Sequence, residues 1–212
     1  MASEAQVGVV GAGAAGLYTA LCASGAGADV ILVSATPLAG SSSYWAQGGL
    51  AAAMAGSDSP ELHLRDTIVA GRGATRASAA RVLCAEAPAA VRSLEALGVR
   101  FDCDQDGRLA LGLEGGHSAR RVIHAGGAAT GRRLVDRLRA LVADDPRITV
   151  LESRRVVALL SSREHCHGVR LDDDQTVRTA ATVLATGGAG ALWSRTTNPS
   201  GATGGGLLLA YA

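Results

Sequence analysis

The residues best placed to do chemistry in this chain are glycines. Gly11-Ala12-Gly13-Ala14-Ala15-Gly16 has the spacing GxGxxG, between a short apolar run and an Ala/Leu-rich stretch. In such a turn the first glycine permits a tight reversal after a strand. The second lets the backbone approach a pyrophosphate, and the third allows close helix–strand packing. The helix that follows directs unpaired N–H groups and its positive dipole end at the phosphates. An ordinary strand–helix turn is the alternative, but the placement after a strand and before a helix favours a dinucleotide. A nicotinamide site of the usual kind has Asp or Glu at the end of the second strand, for the ribose hydroxyls. Here that place holds Ser34, followed by Ala35, and no arginine precedes Arg65 to take a 2′-phosphate. The pattern leans away from NAD(P), although Ser34 can still make one ribose hydrogen bond.

Two further segments suit a phosphate-bearing ligand. Ser41-Ser42-Ser43-Tyr44-Trp45-Ala46-Gln47-Gly48-Gly49 offers hydroxyls and backbone N–H groups; a solvated Ser/Gly loop is the alternative. Ala185-Thr186-Gly187-Gly188 ends a buried run with small residues, where a cofactor could approach closely. His165-Cys166-His167 has the right side chains for a metal but lacks further spaced ligands, so chance spacing is favoured and no metal is expected.

These segments need elements to hold them. Gln6–Val10 reads as a buried strand, Ala14–Ser24 as a helix and Asp29–Val33 as a second buried strand, together a βαβ unit. Ser34–Gly49 reads as loop, and Leu50–Met54 as the continuation of a short helix begun near Gln47. Pro60–Ala70 should be helical, with Ser59 as its cap and Pro60 in its first position. Ser78–Leu97 carries a helical stripe of Leu83, Ala87, Val91, Leu94 and Leu97, with a kink or break expected at Pro88. Val99–Gly116 reads as irregular, with turns at Asp106-Gly107 and Gly115-Gly116, and Arg121–His124 as a short strand. Thr130 should cap a helix to Ala143, stopped by Asp144-Asp145-Pro146. Ile148–Leu151, Arg155–Leu160, Gly168–Leu171 and Thr176–Arg178 read as strands of a meander, and Ala181–Ala185 as one more buried strand. Thr203 opens a last helix, and Ala35–Arg147 reads as an insertion into one nucleotide-binding domain.

Composition narrows the function classes. Aromatic residues are only 3% while hydrophobic residues are 48%, so the core must be built from Ala, Val and Leu. A net charge of +1 gives no reason to expect nucleic acid or an anionic membrane as a partner. Every basic residue is arginine, which excludes a Schiff-base lysine and a P-loop lysine. Cys22, Cys84, Cys103 and Cys166 show no CxxC spacing and suit free thiols in a reducing compartment. With no signal-peptide pattern and no apolar run of membrane length, a cytoplasmic location is expected.

Ser41-Ser42-Ser43-Tyr44-Trp45-Ala46-Gln47-Gly48-Gly49-Leu50-Ala51 resembles the flavin-side loop of the L-aspartate oxidase family, part of the succinate dehydrogenase/fumarate reductase flavoprotein superfamily. Further matching segments follow in order: His63-x-x-Asp66-Thr67, Gly98-Val99-x-Phe101-Asp102, Glu114-Gly115-Gly116-His117-Ser118 and His124-Ala125-Gly126-Gly127. Ala129-Thr130-Gly131, Val183-Leu184-Ala185-Thr186-Gly187-Gly188 and Thr196-Thr197-Asn198-Pro199 complete the series, so the resemblance covers nearly the whole chain.

The resemblance implies an α/β fold: a Rossmann-like FAD-binding domain over residues 1–212, with a parallel sheet, a β-meander and inserted helices. It implies that the capping and C-terminal helical domains of such flavoproteins lie beyond this stretch. It further implies FAD as cofactor, cradled by Gly11 to Gly16, Ser34, Ala35, Ser42 to Gly49, Arg155, Val156, Ala185 to Gly188 and Gly205. Ser42 stands where fumarate reductases carry the histidine that tethers flavin, so non-covalent FAD is expected. Glu114 would face the substrate and pair with the amino group of L-aspartate; a solvated loop acid is the alternative. His117 and Ser118 would bind substrate or order the loop. Arg120 and Arg121 are expected in surface or structural ion pairs, with substrate clamps as the alternative, and His124 as a satisfied structural histidine. The chain departs from the family pattern at Ala35, Leu113, Ala128 and Gly205, where relatives carry Lys, Arg, Asp and Asp. The implied activity is oxidation of L-aspartate to iminoaspartate, feeding quinolinate and NAD synthesis, with O2 or fumarate as electron acceptor; the 212 residues by themselves are expected to be incomplete for it. A fumarate reductase-like flavoprotein, a non-catalytic FAD-binding remnant and a split subunit needing a C-terminal partner chain are the alternatives.

Overall fold

The computed structural model describes residues 3–37 and 40–212, so Leu38 and Ala39 of the expected 34–49 loop lie outside the described residues. The chain forms two compact units, Met1–Trp45 with Leu134–Ala212, and Ala46–Arg133.

The first unit is built on a six-stranded sheet. Its strands are β1 (Ser3–Val10), β2 (Val30–Ser34), β6 (Ile148–Glu152), β7 (Val156–Ser161), β8 (Cys166–Leu171) and β9 (Thr176–Leu184), in the order β6-β2-β1-β9-β8-β7. The labels β3 to β5 belong to the second unit. β6, β2, β1 and β9 run parallel, while β9, β8 and β7 form the antiparallel meander. Every residue of β2 is buried, as expected of a parallel strand covered on both faces. α1 (Ala14–Gly25) buries Gly16, Leu17, Ala20 and Ser24, one stripe at helical spacing. α4 (Thr130–Asp144) places Leu134, Val135, Leu138 and Val142 on a similar buried stripe. Val10, Ile31, Val33, Val156, Val169, Leu171 and Val177 form one aliphatic core cluster, as the scarcity of aromatic residues requires.

Two expectations are corrected here. Ile148–Leu151 is not part of the meander: β6 pairs parallel with β2, because α4 returns the chain as a crossover. Thr176–Arg178 and Ala181–Ala185 are one continuous strand, β9. Its start pairs with β8 and its length pairs with β1, so no turn is needed at Thr179-Ala180.

The second unit holds α2 (Pro60–Ala70), α3 (Ala77–Ala96) and a small antiparallel sheet, β3 (Leu50–Ala51), β5 (Val122–Ile123) and β4 (Leu111–Gly112), in the order β3-β5-β4. Ser59 caps α2 as expected, its hydroxyl accepting from the Leu62 N–H at 3.2 Å, with Pro60 in the first turn. Leu50–Met54 is not helical. Leu50 and Ala51 form a half-buried strand that pairs antiparallel with Ile123 and Val122. α3 runs unbroken through Pro88, and its buried residues are Ala80, Cys84 and Val91; Leu83, assigned to the buried stripe, is 62% exposed. Thr130 is the first residue of α4 and follows a 3-10 turn at Gly127–Ala129. Its hydroxyl accepts from the Ala125 N–H and donates to the Gly127 carbonyl, instead of capping the helix.

Candidate functional site

In the first unit the parallel register brings the carboxyl ends of β6, β2, β1 and β9 to one edge of the sheet. Open α/β sheets bind ligands at such an edge. Gly11 leaves β1 there with φ 107°, and its N–H donates to the Val33 carbonyl at 2.8 Å. A Cβ on Gly11 would lie 2.3 Å from the Ala185 carbonyl oxygen, and one on Gly16 would lie 1.8 Å from the Gly11 oxygen. Both positions therefore admit only glycine, which is the close packing that the GxGxxG spacing implied. Gly13 is different. It is the N-cap of α1, and a Cβ there would meet the Ser43 hydroxyl at 3.2 Å and the Ser41 Cβ at 3.9 Å, with no backbone atom in the way. The Ala14 N–H donates to Ser43 Oγ at 3.1 Å. The amides of Ala15 and Gly16, in the same first turn, have no acceptor among the described residues. Ala12 is buried beside them.

The other strand ends complete this edge. Ala185 donates its N–H to the Val10 carbonyl at 2.8 Å, which stitches β9 to β1 where both strands finish. Gly187 follows with φ 77°, and a Cβ on Gly187 or Gly188 would meet nothing within 4 Å, so this loop is open. Thr186 packs under α5 (Gly205–Tyr211): a Cβ on Gly206 would sit 1.8 Å from its hydroxyl, while one on Gly205 would meet the Thr203 hydroxyl at 4.0 Å. Ser34 is buried at the end of β2 and donates its hydroxyl to the Thr36 carbonyl at 2.5 Å, leaving its lone pairs as acceptors; Ala35 is exposed. The Arg154 N–H donates to the Ser34 carbonyl at 2.9 Å, which brings the segment entering β7, with exposed Arg155 and buried Val156, to the same edge.

The Ser/Gly segment divides at Trp45. Ser41 to Trp45 belong to the first unit, where Tyr44 donates its N–H to the Ser41 carbonyl and packs edge-on to Trp45, whose side chain is 63% exposed. Ser42 is exposed. Ala46 to Gly49 belong to the second unit, with Ala46, Gln47 and Gly48 exposed. Gly49 has φ 77°, and a Cβ there would press on the Ile123 oxygen at 2.7 Å.

Glu114, His117 and Ser118 lie together in the second unit, on the turn before β5. Glu114 is exposed and stands 3.5 Å from His124 Nε2. Ser118 donates both its N–H and its hydroxyl to Asp66 Oδ2, at 2.8 Å each. His117 Nδ1 lies 3.2 Å from Arg121 Nη1. Arg121 is fully buried and forms a fork with Asp58, two bonds of 2.8 Å, while its Nη1 also reaches Asp66 at 2.5 Å. The structural ion pair expected of Arg121 is present. Asp58 carried no signal in the sequence; Asp66 stood in the matching segment His63-x-x-Asp66-Thr67, but nothing there pointed to Arg121, more than fifty positions away. Burial pushes the Asp66 carboxyl up, but the Ser118 N–H, the Arg121 guanidinium and the Ser118 hydroxyl outweigh it and hold it at about 2. The Arg121 hydrogen bond holds Asp58 below the usual carboxylate range against its burial. Burial, then the Arg121 charge, lowers His63, whose ring centroid is 5.7 Å from that of His117.

The strand-end glycines, the first-turn amides of α1 and the open Ala185–Gly188 loop fit a bound dinucleotide. The sequence comparison agrees. Residues 6–212 match the FAD binding domain family. The chain belongs to that family, and FAD is the cofactor that membership assigns to it. L-aspartate oxidase of Streptomyces coelicolor is 45% identical over 99% of this chain, which covers 37% of that protein. L-aspartate oxidase of Nostoc is 44% identical over 99% of this chain and 36% of its own length. The chain thus spans little more than a third of the relatives it matches. A mutant of E. coli quinol fumarate reductase superposes with a TM-score of 0.93 at 28% identity, covering 99% of this chain and 37% of that one. A flavocytochrome c3 fumarate reductase in its open conformation gives 0.87 at 29%, over 99% and 40%. Among the described residues no helix is long and apolar enough to cross a membrane, and no group of three metal-ligating side chains occurs.

Proposed function

We propose that this chain is the FAD-cradling portion of an L-aspartate oxidase, which oxidises L-aspartate to iminoaspartate. The observation that carries the reading is 44–45% identity to two L-aspartate oxidases across 99% of the chain. In this reading Gly11 to Gly16, Ser43 and Ala185 to Gly188 hold the pyrophosphate and its neighbours, and Ser34 with Arg155 and Val156 holds the adenosine end. Ser42 to Gly49 serve the flavin end without a covalent link, since Ser42 has no imidazole to attach. Gly205, the first residue of α5, adds a small residue next to the Gly206–Thr186 contact. Glu114 pairs with the substrate ammonium, and His117 and Ser118 bind or frame its carboxylates. Bound FAD would supply a two-electron acceptor for the hydride of the substrate Cα, with O2 or fumarate taking the electrons afterwards. Quinolinate and NAD synthesis is the destination of the product, and a cytoplasmic location accords with four free cysteines.

A fumarate reductase-like flavoprotein is the second reading, favoured by the TM-score of 0.93. One titration separates the two. The purified chain is mixed with FAD, the bound flavin is read from its visible absorption band, and L-aspartate or succinate is added without oxygen. Flavin that neither compound bleaches in this chain by itself, but that L-aspartate alone bleaches once the capping and C-terminal domains of the relatives are supplied, is expected. Bleaching by succinate alone would favour the second reading, and a chain that retains no flavin would overturn both.

A further inference from the structure

The network around Arg121 settles a detail of His117 that a list of site residues does not. A guanidinium can only donate hydrogen bonds. At the 3.2 Å contact between Arg121 Nη1 and His117 Nδ1, the imidazole nitrogen must therefore accept. A neutral ring that accepts at Nδ1 carries its proton on Nε2. The arginine has no freedom to do otherwise. Its Nε and Nη2 are locked in the Asp58 fork, and its Nη1 is drawn by Asp66 to the side where His117 lies. The side chains of Arg121 and Asp58 are fully buried and Asp66 is 14% exposed, so water does not loosen the arrangement. Both carboxylates come from one short stretch, Asp58 just ahead of the α2 cap and Asp66 on α2, so the helix sets the position of the guanidinium. Asp66 also takes both donors of Ser118, which ties down the residue next to His117. Among the described residues, His117 Nε2 has no protein partner, and it is not a buried orphan, so it opens to solvent.

We infer that Arg121 is a positioning residue that fixes His117 as the Nε2–H tautomer, so that His117 offers a hydrogen-bond donor to a ligand carboxylate and no proton acceptor. The ligand's identity rests on the proposed substrate, whereas the tautomer rests on the geometry of the second unit alone. In the oxidase reading this leaves proton removal from the substrate ammonium to another group and gives His117 the task of holding a carboxylate.

The test is side-chain nitrogen NMR of the 15N-labelled 212-residue chain, which distinguishes protonated from bare imidazole nitrogens. His117 is expected as a single Nε2–H form, and succinate, a dicarboxylate probe that lacks an amino group, should move its Nε2 resonance saturably. Arg121→Lys keeps the charge but loses the fork. It should turn His117 into a mixture of tautomers and weaken succinate roughly tenfold, the loss expected of one hydrogen bond. An Nδ1–H form in the unsubstituted chain would overturn the inference. So would an Nε2 resonance that neither succinate nor L-aspartate moves, or a single unchanged tautomer in a folded Arg121→Lys chain. If Arg121→Lys does not fold, the two readings on the unsubstituted chain decide the matter. Should L-aspartate fail to bleach bound flavin even with the capping and C-terminal domains supplied, while succinate still moves His117, the oxidase reading falls and the donor role stands.

Discussion

On the Asp66 carboxyl, burial and hydrogen bonding oppose each other and hydrogen bonding wins, leaving it at about 2 against an ordinary value of 3.8. The folded pKa is the lower one, so the unfolded chain takes up the proton first. The stabilisation is present in full above the unfolded value, and it is lost as pH falls through the folded one. A gap of this size corresponds to about 2 kcal/mol. Asp66→Asn should therefore unfold about 2 kcal/mol more easily than the unsubstituted chain at pH 7. That difference should narrow below about pH 4 and largely vanish toward pH 2. Urea unfolding of both chains across this range measures it, and a difference that does not change with pH would show that Asp66 acts through packing instead of charge. At this scale, what was legible in the sequence was local. The roles of Gly11 and Gly16 follow from spacing within one turn, and the backbone contacts at 2.3 and 1.8 Å bear them out. The Asp58–Arg121–Asp66 network was not legible, since nothing near Asp58 or Asp66 shows which of the chain's many arginines each will meet.

Elements were readable where one period dominated and misread where two competed. α2 announced itself through Ser59 and Pro60, and β2 through its unbroken apolar run. Leu50–Ala51 failed because alanine fits either a helix or a short strand, and only the partner Val122–Ile123, some seventy residues on, decides between them. β6 failed because a run as short as Ile148-Thr149-Val150-Leu151 looks alike in parallel and antiparallel pairing; the crossover through α4 sets the direction. α3 went the other way, for the proline that was expected to kink or break it lies inside one helix of 20 residues. Pro88 has no N–H for the Cys84 carbonyl, and its ring crowds that turn. The helix persists because Ala80, Cys84 and Val91 are buried along it and α3 packs on α2. Pro88→Ala should restore the missing bond and stabilise the chain by about 1–3 kcal/mol, read as a higher melting temperature. An unchanged or lower melting temperature would mean that the half-buried ring contributes packing that offsets its backbone cost.

For the molecule as a whole, the cofactor reading concerns segments far apart in sequence that finish at one sheet edge. Gly11–Gly16 follows β1, Ser34-Ala35 follows β2, Arg154–Val156 follows β6 and Ala185–Gly188 follows β9. The first βαβ unit was visible in the sequence because it is contiguous. That β6 and β9 join it was not, because strand order depends on long-range pairing that no local pattern carries. If FAD binds at this edge it must act on all these segments at once, since it stabilises only the state in which they are assembled. At FAD a hundredfold above its dissociation constant, the gain is about 2.7 kcal/mol. Hydrogen exchange should then slow together at amides of all these segments when FAD is added. Gly13→Ala supplies the control. Its new methyl would meet the Ser43 hydroxyl at 3.2 Å and the Ser41 Cβ at 3.9 Å, both side-chain atoms, so the fold should survive. Yet the methyl occupies the point where a pyrophosphate must approach the helix, so FAD should no longer slow exchange in any segment. Protection confined to one loop, or protection undiminished in Gly13→Ala, would mean that FAD does not use this edge, however well the strand ends converge there.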